Sequence, residues 1–107
     1  MISTHILDLE AGNPAVDVTV GLEMQKNEEW SVLEVAKTNS DGRIVFESAK
    51  EAGIYRLNFQ VAEYFKSQSK SVFFVEAPVT FEITDTGRKY HVPLLLNNYG
   101  YSTYRGS

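Results

Sequence analysis

The chain has 107 residues, of which 43% are hydrophobic and 22% charged, with a formal net charge of −4 and no cysteine. That composition fits one globular domain and argues against disorder. It excludes disulfides, a thiol nucleophile and cysteine-ligated zinc, and the lack of a basic stripe makes nucleic acid a poor partner.

The first strand is expected in "THILDL", where His5 shares a face with Leu7 and Leu9 while Asp8 points the other way. Asn13-Pro14 marks a turn. "AVDVTVGLEM" alternates, with Val16, Val18, Val20 and Leu22 on one face and Asp17, Thr19 and Glu23 on the other. "WSVLEVAKT" carries apolar residues on both faces and is expected to pack on two sides. Asp41-Gly42 is a strong turn signal, since both residues tolerate positive φ.

"RIVF" and "GIYRLNF" read as strands, and "VAEYFKSQ" as a short helix with Val61, Tyr64 and Phe65 at i, i+3 and i+4. "VFFV", "PVTFEIT", "KYHVPLLLNN" and "YGYSTYR" complete the strand-like segments. Seven or eight strands and one short helix predict an all-β fold, an antiparallel β-sandwich of the Greek-key kind, as a single domain over residues 1–107. A sandwich of this size has little room for a deep internal pocket, because it buries only about two-thirds of its unfolded surface. The longest apolar run, "VPLLL", is far too short for a membrane span. The N-terminal stretch shows no basic region followed by an apolar one, so a cytoplasmic protein is expected, or a periplasmic one with its leader removed.

Few residues carry obvious chemistry. His5 stands on an apolar strand face, where an imidazole must find a partner or solvent. His91 lies two residues before Pro93, which lacks the donor that a central ladder needs. An interruption beside His91 is therefore expected, and such irregularities often re-aim side chains at functional sites. Arg43 follows the Asp-Gly turn. In "YGYSTYRGS", Tyr99, Tyr101, Thr103 and Arg105 share one face, and Gly106 allows a bend or a close approach before Ser107. Each histidine or arginine, taken alone, reads equally well as a surface residue. With two histidines and no cysteine, a metal site is not expected.

In combination, "STHILDLEAGNPA", "TNSDGRI", "YHVPLLL" and the terminal "YRGS" resemble the 5-hydroxyisourate hydrolases of the transthyretin-like family, over nearly the whole chain. The resemblance implies a transthyretin-like sandwich and a homotetramer, a dimer of dimers with active sites in a channel between dimers. It implies no cofactor. The reaction would be hydrolytic opening of 5-hydroxyisourate to 2-oxo-4-hydroxy-4-carboxy-5-ureidoimidazoline in urate breakdown. On this resemblance the catalytic residues are His5, Arg43, His91 and Ser107, and substrate is bound by His5, Arg43, Tyr104, Arg105, Gly106 and Ser107. Lys89, Asn97-Asn98 and "FFVEAP" depart from the commoner family pattern, and none of them replaces an implied catalytic group. The alternative is a non-catalytic, transthyretin-like binding protein for small molecules. Transthyretin lacks the histidine–arginine set and the "YRGS" end, which favours the hydrolase.

Overall fold

The alternation in the first strand organises everything that follows. The computed structural model describes residues 1–106. In it β1 (Ile2–Asp8) buries Ile2, Thr4, Ile6 and Asp8 and turns Ser3, His5 and Leu7 to the other face. Leu9, expected on that outer face, lies beyond the strand end and is exposed.

Both edges of β1 are occupied. On one side it pairs antiparallel with β2 (Asn13–Pro14) and β5 (Arg43–Phe46). On the other it runs parallel to β8 (Tyr90–His91) and β9 (Leu94–Asn97). Antiparallel β10 (Gly100–Thr103) completes this sheet beyond β9. The second sheet is antiparallel, in the order β4 (Glu29–Lys37), β3 (Thr19–Lys26), β6 (Gly53–Phe59), β7 (Ala77–Ile83). The expected antiparallel sandwich is therefore all-β as read, with one parallel seam along β1. Of the ten strands, β2 and β8 have only two residues each, which leaves eight longer ones.

The core lies between the sheets. Phe46, Tyr55, Phe59 and Phe65 are its largest fully buried side chains. Each such burial contributes roughly 1.5–3 kcal/mol relative to exposure. The short helix α1 (Val61–Lys66) buries Val61, Tyr64 and Phe65, the residues its spacing selects, together with Ala62. Tyr64 donates from Oη to the buried Asp8 carboxylate at 2.7 Å, which ties the helix to the end of β1. The other Asp8 oxygen accepts from the amides of Glu10 and Ala11, at 3.0 Å each, and so shapes the turn that follows.

Several local expectations are corrected. The first turn occupies residues 9–12, and Asn13-Pro14 forms the return pair against Asp8 and Leu7. Val16 is exposed because Asp17 takes a φ of 61°, so the inward alternation begins only at Val18. β4 is an edge strand, and Val32 and Val35 stay in solvent at more than half exposure (64% and 61%), so it does not pack on two sides. The Asp41-Gly42 turn forms as read and carries the chain from one sheet to the other.

"VFFV" is not a strand. Its segment is held at separate points, by a Phe73 amide to Asn98 carbonyl bond at 2.9 Å and an Ala62 amide to Val75 carbonyl bond at 3.1 Å. Phe74 packs edge-on against Tyr101 at 5.4 Å. A run with high β-propensity thus becomes a strap, because no neighbouring strand offers it a ladder.

Candidate active site

Pro93 does what its chemistry predicts. The last long segment pairs with β1 as β8, breaks at Val92-Pro93, and resumes as β9. Two threonines accommodate the break. Thr4 donates from Oγ1 to the Val92 carbonyl at 2.7 Å, and Thr103 donates to the Pro93 carbonyl at 2.7 Å. Buried carbonyls without a ladder partner would otherwise cost free energy. The interruption is therefore fully bonded at both residues, and it fixes the strand that carries His91.

Register then assembles the outer face. His5 stands opposite Arg43 across the β1–β5 pair, and Ser3 stands opposite His91 across the β1–β8 pair. Because Ser3 and His5 are two apart on one strand, they share a face, and the pairing brings in Arg43 from one side and His91 from the other. Three groups far apart in sequence meet here.

The turn before Arg43 is well supported. Asn39 Oδ1 accepts from the amides of Asp41 at 2.9 Å and Arg43 at 3.0 Å. Gly42 has a φ of 72°, and its carbonyl accepts from the Ile6 amide at 2.8 Å.

His91 is held on two sides. Ser3 Oγ lies 2.8 Å from His91 Nδ1. The Gly106 amide donates to the His91 carbonyl at 2.7 Å, and the two residues form an isolated antiparallel bridge. A Cβ at position 106 would lie 2.8 Å from His91 Cδ2, so the backbone of Gly106 rests against the ring. Among the described residues, no hydrogen bond reaches the His5 ring.

Electrostatics give both imidazoles the same bias. Burial lowers the pKa of His91, and the Arg43 guanidinium and His5 lower it further. Burial likewise lowers that of His5, as does Arg43, against an opposing pull from Asp41. Each histidine is kept neutral near neutrality, where its lone pair can accept a proton. Among the described residues, no three His, Cys, Asp or Glu side chains cluster as metal ligands would.

Tyr104 and Arg105 line a cleft of about 350 Å³ between β7 and the C-terminal segment, with Phe81 and Tyr90 among its other walls. That cleft includes none of His5, Arg43 and His91. Gly106 of the terminal group touches the histidine site within one chain, and Ser107 lies outside the described residues. The histidine face itself is an open sheet surface. Ser3 escaped the sequence reading, because a serine in a strand carries no pattern of its own. Only the β1–β8 register gives it a role.

The model of the HIUase/Transthyretin family matches residues 2–106. The chain belongs to this family. Within it, a 5-hydroxyisourate hydrolase from Salmonella dublin is 48% identical over 110 residues, spanning all of this chain and 81% of that protein. The structure of Klebsiella pneumoniae 5-hydroxyisourate hydrolase superposes with a TM-score of 0.88 at 38% identity, covering 99% of this chain and 98% of that one. Sea bream transthyretin, solved in complex with thyroxine, gives a TM-score of 0.92 at 27% identity, covering 98% and 93%. Backbone shape therefore does not separate the family's enzyme-named and transthyretin-named members. Identity favours the enzymes. Lys89 and Asn98 lie in connecting segments, and Asn97 stands at the exposed end of β9.

Proposed function

We propose that the protein hydrolyses 5-hydroxyisourate, opening its cyclic amide to 2-oxo-4-hydroxy-4-carboxy-5-ureidoimidazoline. The supporting observation is the pair of imidazoles that flank one guanidinium, both shifted toward the neutral form. His91 is the general base in this reading, because its ring is oriented by a third group while that of His5 is not. Water loses a proton to His91 as its oxygen attacks the carbonyl carbon. The carbonyl π electrons move to oxygen, and Arg43 or Arg105 stabilises the resulting oxyanion with charge-assisted hydrogen bonds. Collapse re-forms the carbonyl and breaks the carbon–nitrogen bond, and the departing ring nitrogen takes up a proton, with His5 orienting the substrate or relaying that proton. Ser107 binds a ring heteroatom or the water, and the terminal tyrosines wall the flat ring.

The open face needs a cover, since an exposed site neither excludes water nor holds a small ring on several sides. A homotetramer supplies one: a symmetric copy across the histidine face, with the terminal residues contributing to the wall. The reaction in this reading runs in the cytoplasm, or in the periplasm where a leader has been removed. Sedimentation velocity tests the tetramer, and subcellular fractionation tests the location.

Activity is tested by following urate with urate oxidase spectroscopically, with and without the protein. Faster decay of the hydroxyisourate intermediate is expected. His91→Asn or His5→Asn should lower kcat/KM by about 10²–10⁴-fold with the fold retained. Deleting residues 104–107 should reduce activity more than stability. The likeness to thyroxine-bound transthyretin favours a second reading, a carrier of hydrophobic ligands. Unchanged decay of the intermediate, combined with tight binding of an aromatic hormone-like ligand, would establish that reading instead.

A further inference from the structure

The geometry points to Ser3 as a positioning residue that fixes both the rotation and the tautomer of His91 by accepting a hydrogen bond from Nδ1–H. The inference rests on the proposed hydrolase reading only for its effect on rate; the effect on the ring stands apart from it.

The physical argument starts from the ring. An imidazole has two proximal atoms, Nδ1 and Cδ2, and two distal ones, Nε2 and Cε1. At His91 both proximal atoms are engaged, Nδ1 by Ser3 Oγ at 2.8 Å and Cδ2 by the backbone of Gly106. A half-turn about χ2 exchanges Nδ1 with Cδ2 and Nε2 with Cε1. Packing alone resists that turn weakly, because the two orientations have nearly the same shape. The serine hydroxyl distinguishes them, since it bonds to nitrogen and not to carbon. It thereby fixes which of the two distal positions Nε2 takes, and among the described residues no partner engages that nitrogen.

Tautomer follows from the surrounding charge. Among the described residues, the ionisable groups whose charge reaches His91 are His5 on β1 and Arg43 on β5. Arg43 is a cation with donors and no acceptor, so it favours a lone pair on the nitrogen that faces it and disfavours an N–H there. Nδ1 is taken by Ser3, which leaves Nε2 for that lone pair. The proton of the neutral ring then resides on Nδ1 and is donated to Ser3 Oγ. A hydroxyl also serves the reaction cycle. It accepts from Nδ1–H in the neutral ring and continues to accept when Nε2 gains a proton, so no partner has to move. Unlike a carboxylate, it does not raise the pKa of the ring, and the base stays neutral beside Arg43.

Ser3 and His91 meet only because β8 runs parallel to β1 in the register that sets them opposite one another. A one-residue slip would turn Ser3 into the core if β1 moved, or His91 if β8 moved.

The test uses the full chain. Long-range proton–nitrogen correlation spectra of the wild-type protein, recorded above the titration range of histidine, should show His91 with a protonated Nδ1 and an unprotonated Nε2. Ser3→Ala should shift that pattern toward a mixture with the Nε2–H form and lower kcat/KM by about 10–100-fold, mainly through kcat. Ser3→Thr keeps the hydroxyl on a residue suited to strands, and it should restore both the tautomer and most of the activity. An Nε2–H tautomer in the wild type overturns the inference, as does an unchanged tautomer and rate in Ser3→Ala. If Ser3→Ala fails to fold, the wild-type tautomer and the Ser3→Thr spectrum decide it. A wild-type protein without hydrolase activity whose His91 tautomer still depends on Ser3 would refute the proposed function and leave this inference standing.

Discussion

His5 and Arg43 are direct cross-strand partners of β1 and β5, and the charge of Arg43 reaches His91 as well. One guanidinium therefore biases two imidazoles. It does so from a strand position fixed by backbone pairing, so the bias does not depend on a flexible loop.

The first prediction concerns pH. Both histidines have folded-state pKa values below the ordinary 6.5. The acid limb of kcat/KM should accordingly lie below pH 6.5, because the base stays unprotonated to lower pH. Arg43→Gln removes a cation that lowers both values, so the limb should move upward toward 6.5 while the maximal rate also falls. Stability should follow the same sign. The unfolded chain binds protons first as the pH drops through 6.5, so the stability present above that value is lost on acidification. Arg43→Gln should soften that loss, as read from melting temperature against pH.

Gly106→Ala tests the contact against His91. The new methyl group would lie 2.8 Å from Cδ2, and ring and terminus would have to separate. A displacement of about 1 Å in a catalytic group costs about 10²-fold in rate. Hydrolase activity should drop on that scale while the circular dichroism spectrum is unchanged, since the terminal bridge buries little.

Gly42→Ala should act through stability. The residue has a φ of 72°, and a Cβ there would meet the Ile6 carbonyl oxygen at 2.6 Å. Left-handed strain alone costs on the order of 1–3 kcal/mol. Urea unfolding should show a loss of at least that size, and activity should fall further because Arg43 follows directly.

Thr4→Val probes the strand break. The replacement is close in shape but removes the donor to the Val92 carbonyl, which is buried. An unsatisfied buried carbonyl costs about 1–3 kcal/mol. Thermal unfolding should register that cost, and a variant as stable as wild type would mean that the carbonyl finds another partner.

Much of this was legible from the residues and some was not. Strand alternation puts His5 and Asp8 on opposite faces but reads the His5 face, with Leu7 and Leu9, as the apolar one, whereas it is Asp8 that is buried. The chemistry of proline locates the break beside His91. The spacing of Val61, Tyr64 and Phe65 identifies the helix. The grouping of His5, Arg43 and His91 came from family resemblance, because a periodic pattern shows which face is buried and not which strand lies beside it. The parallel seam between β1 and β8–β9 is hidden for that reason, and the part played by Ser3 is hidden with it. "VFFV" misleads because strand propensity describes side chains that suit a sheet, whereas a strand also needs a neighbour with free ladder groups. Val16 misleads because Asp17 adopts a left-handed conformation that a hydrophobicity pattern does not register.

The gap at Val92-Pro93 has a further consequence for how this architecture can change over time. Tyr90–His91 and Leu94–Asn97 clip onto the same strand at separate places, with threonine hydroxyls bridging the interval. Mutation can therefore rework His91 in the first clip, and with it whatever ligand chemistry the outer surface offers, without dislodging the second clip or the hydrophobic interior, to which Tyr90 belongs. One scaffold could in this way trade turnover for carriage by editing that position and its outward neighbours.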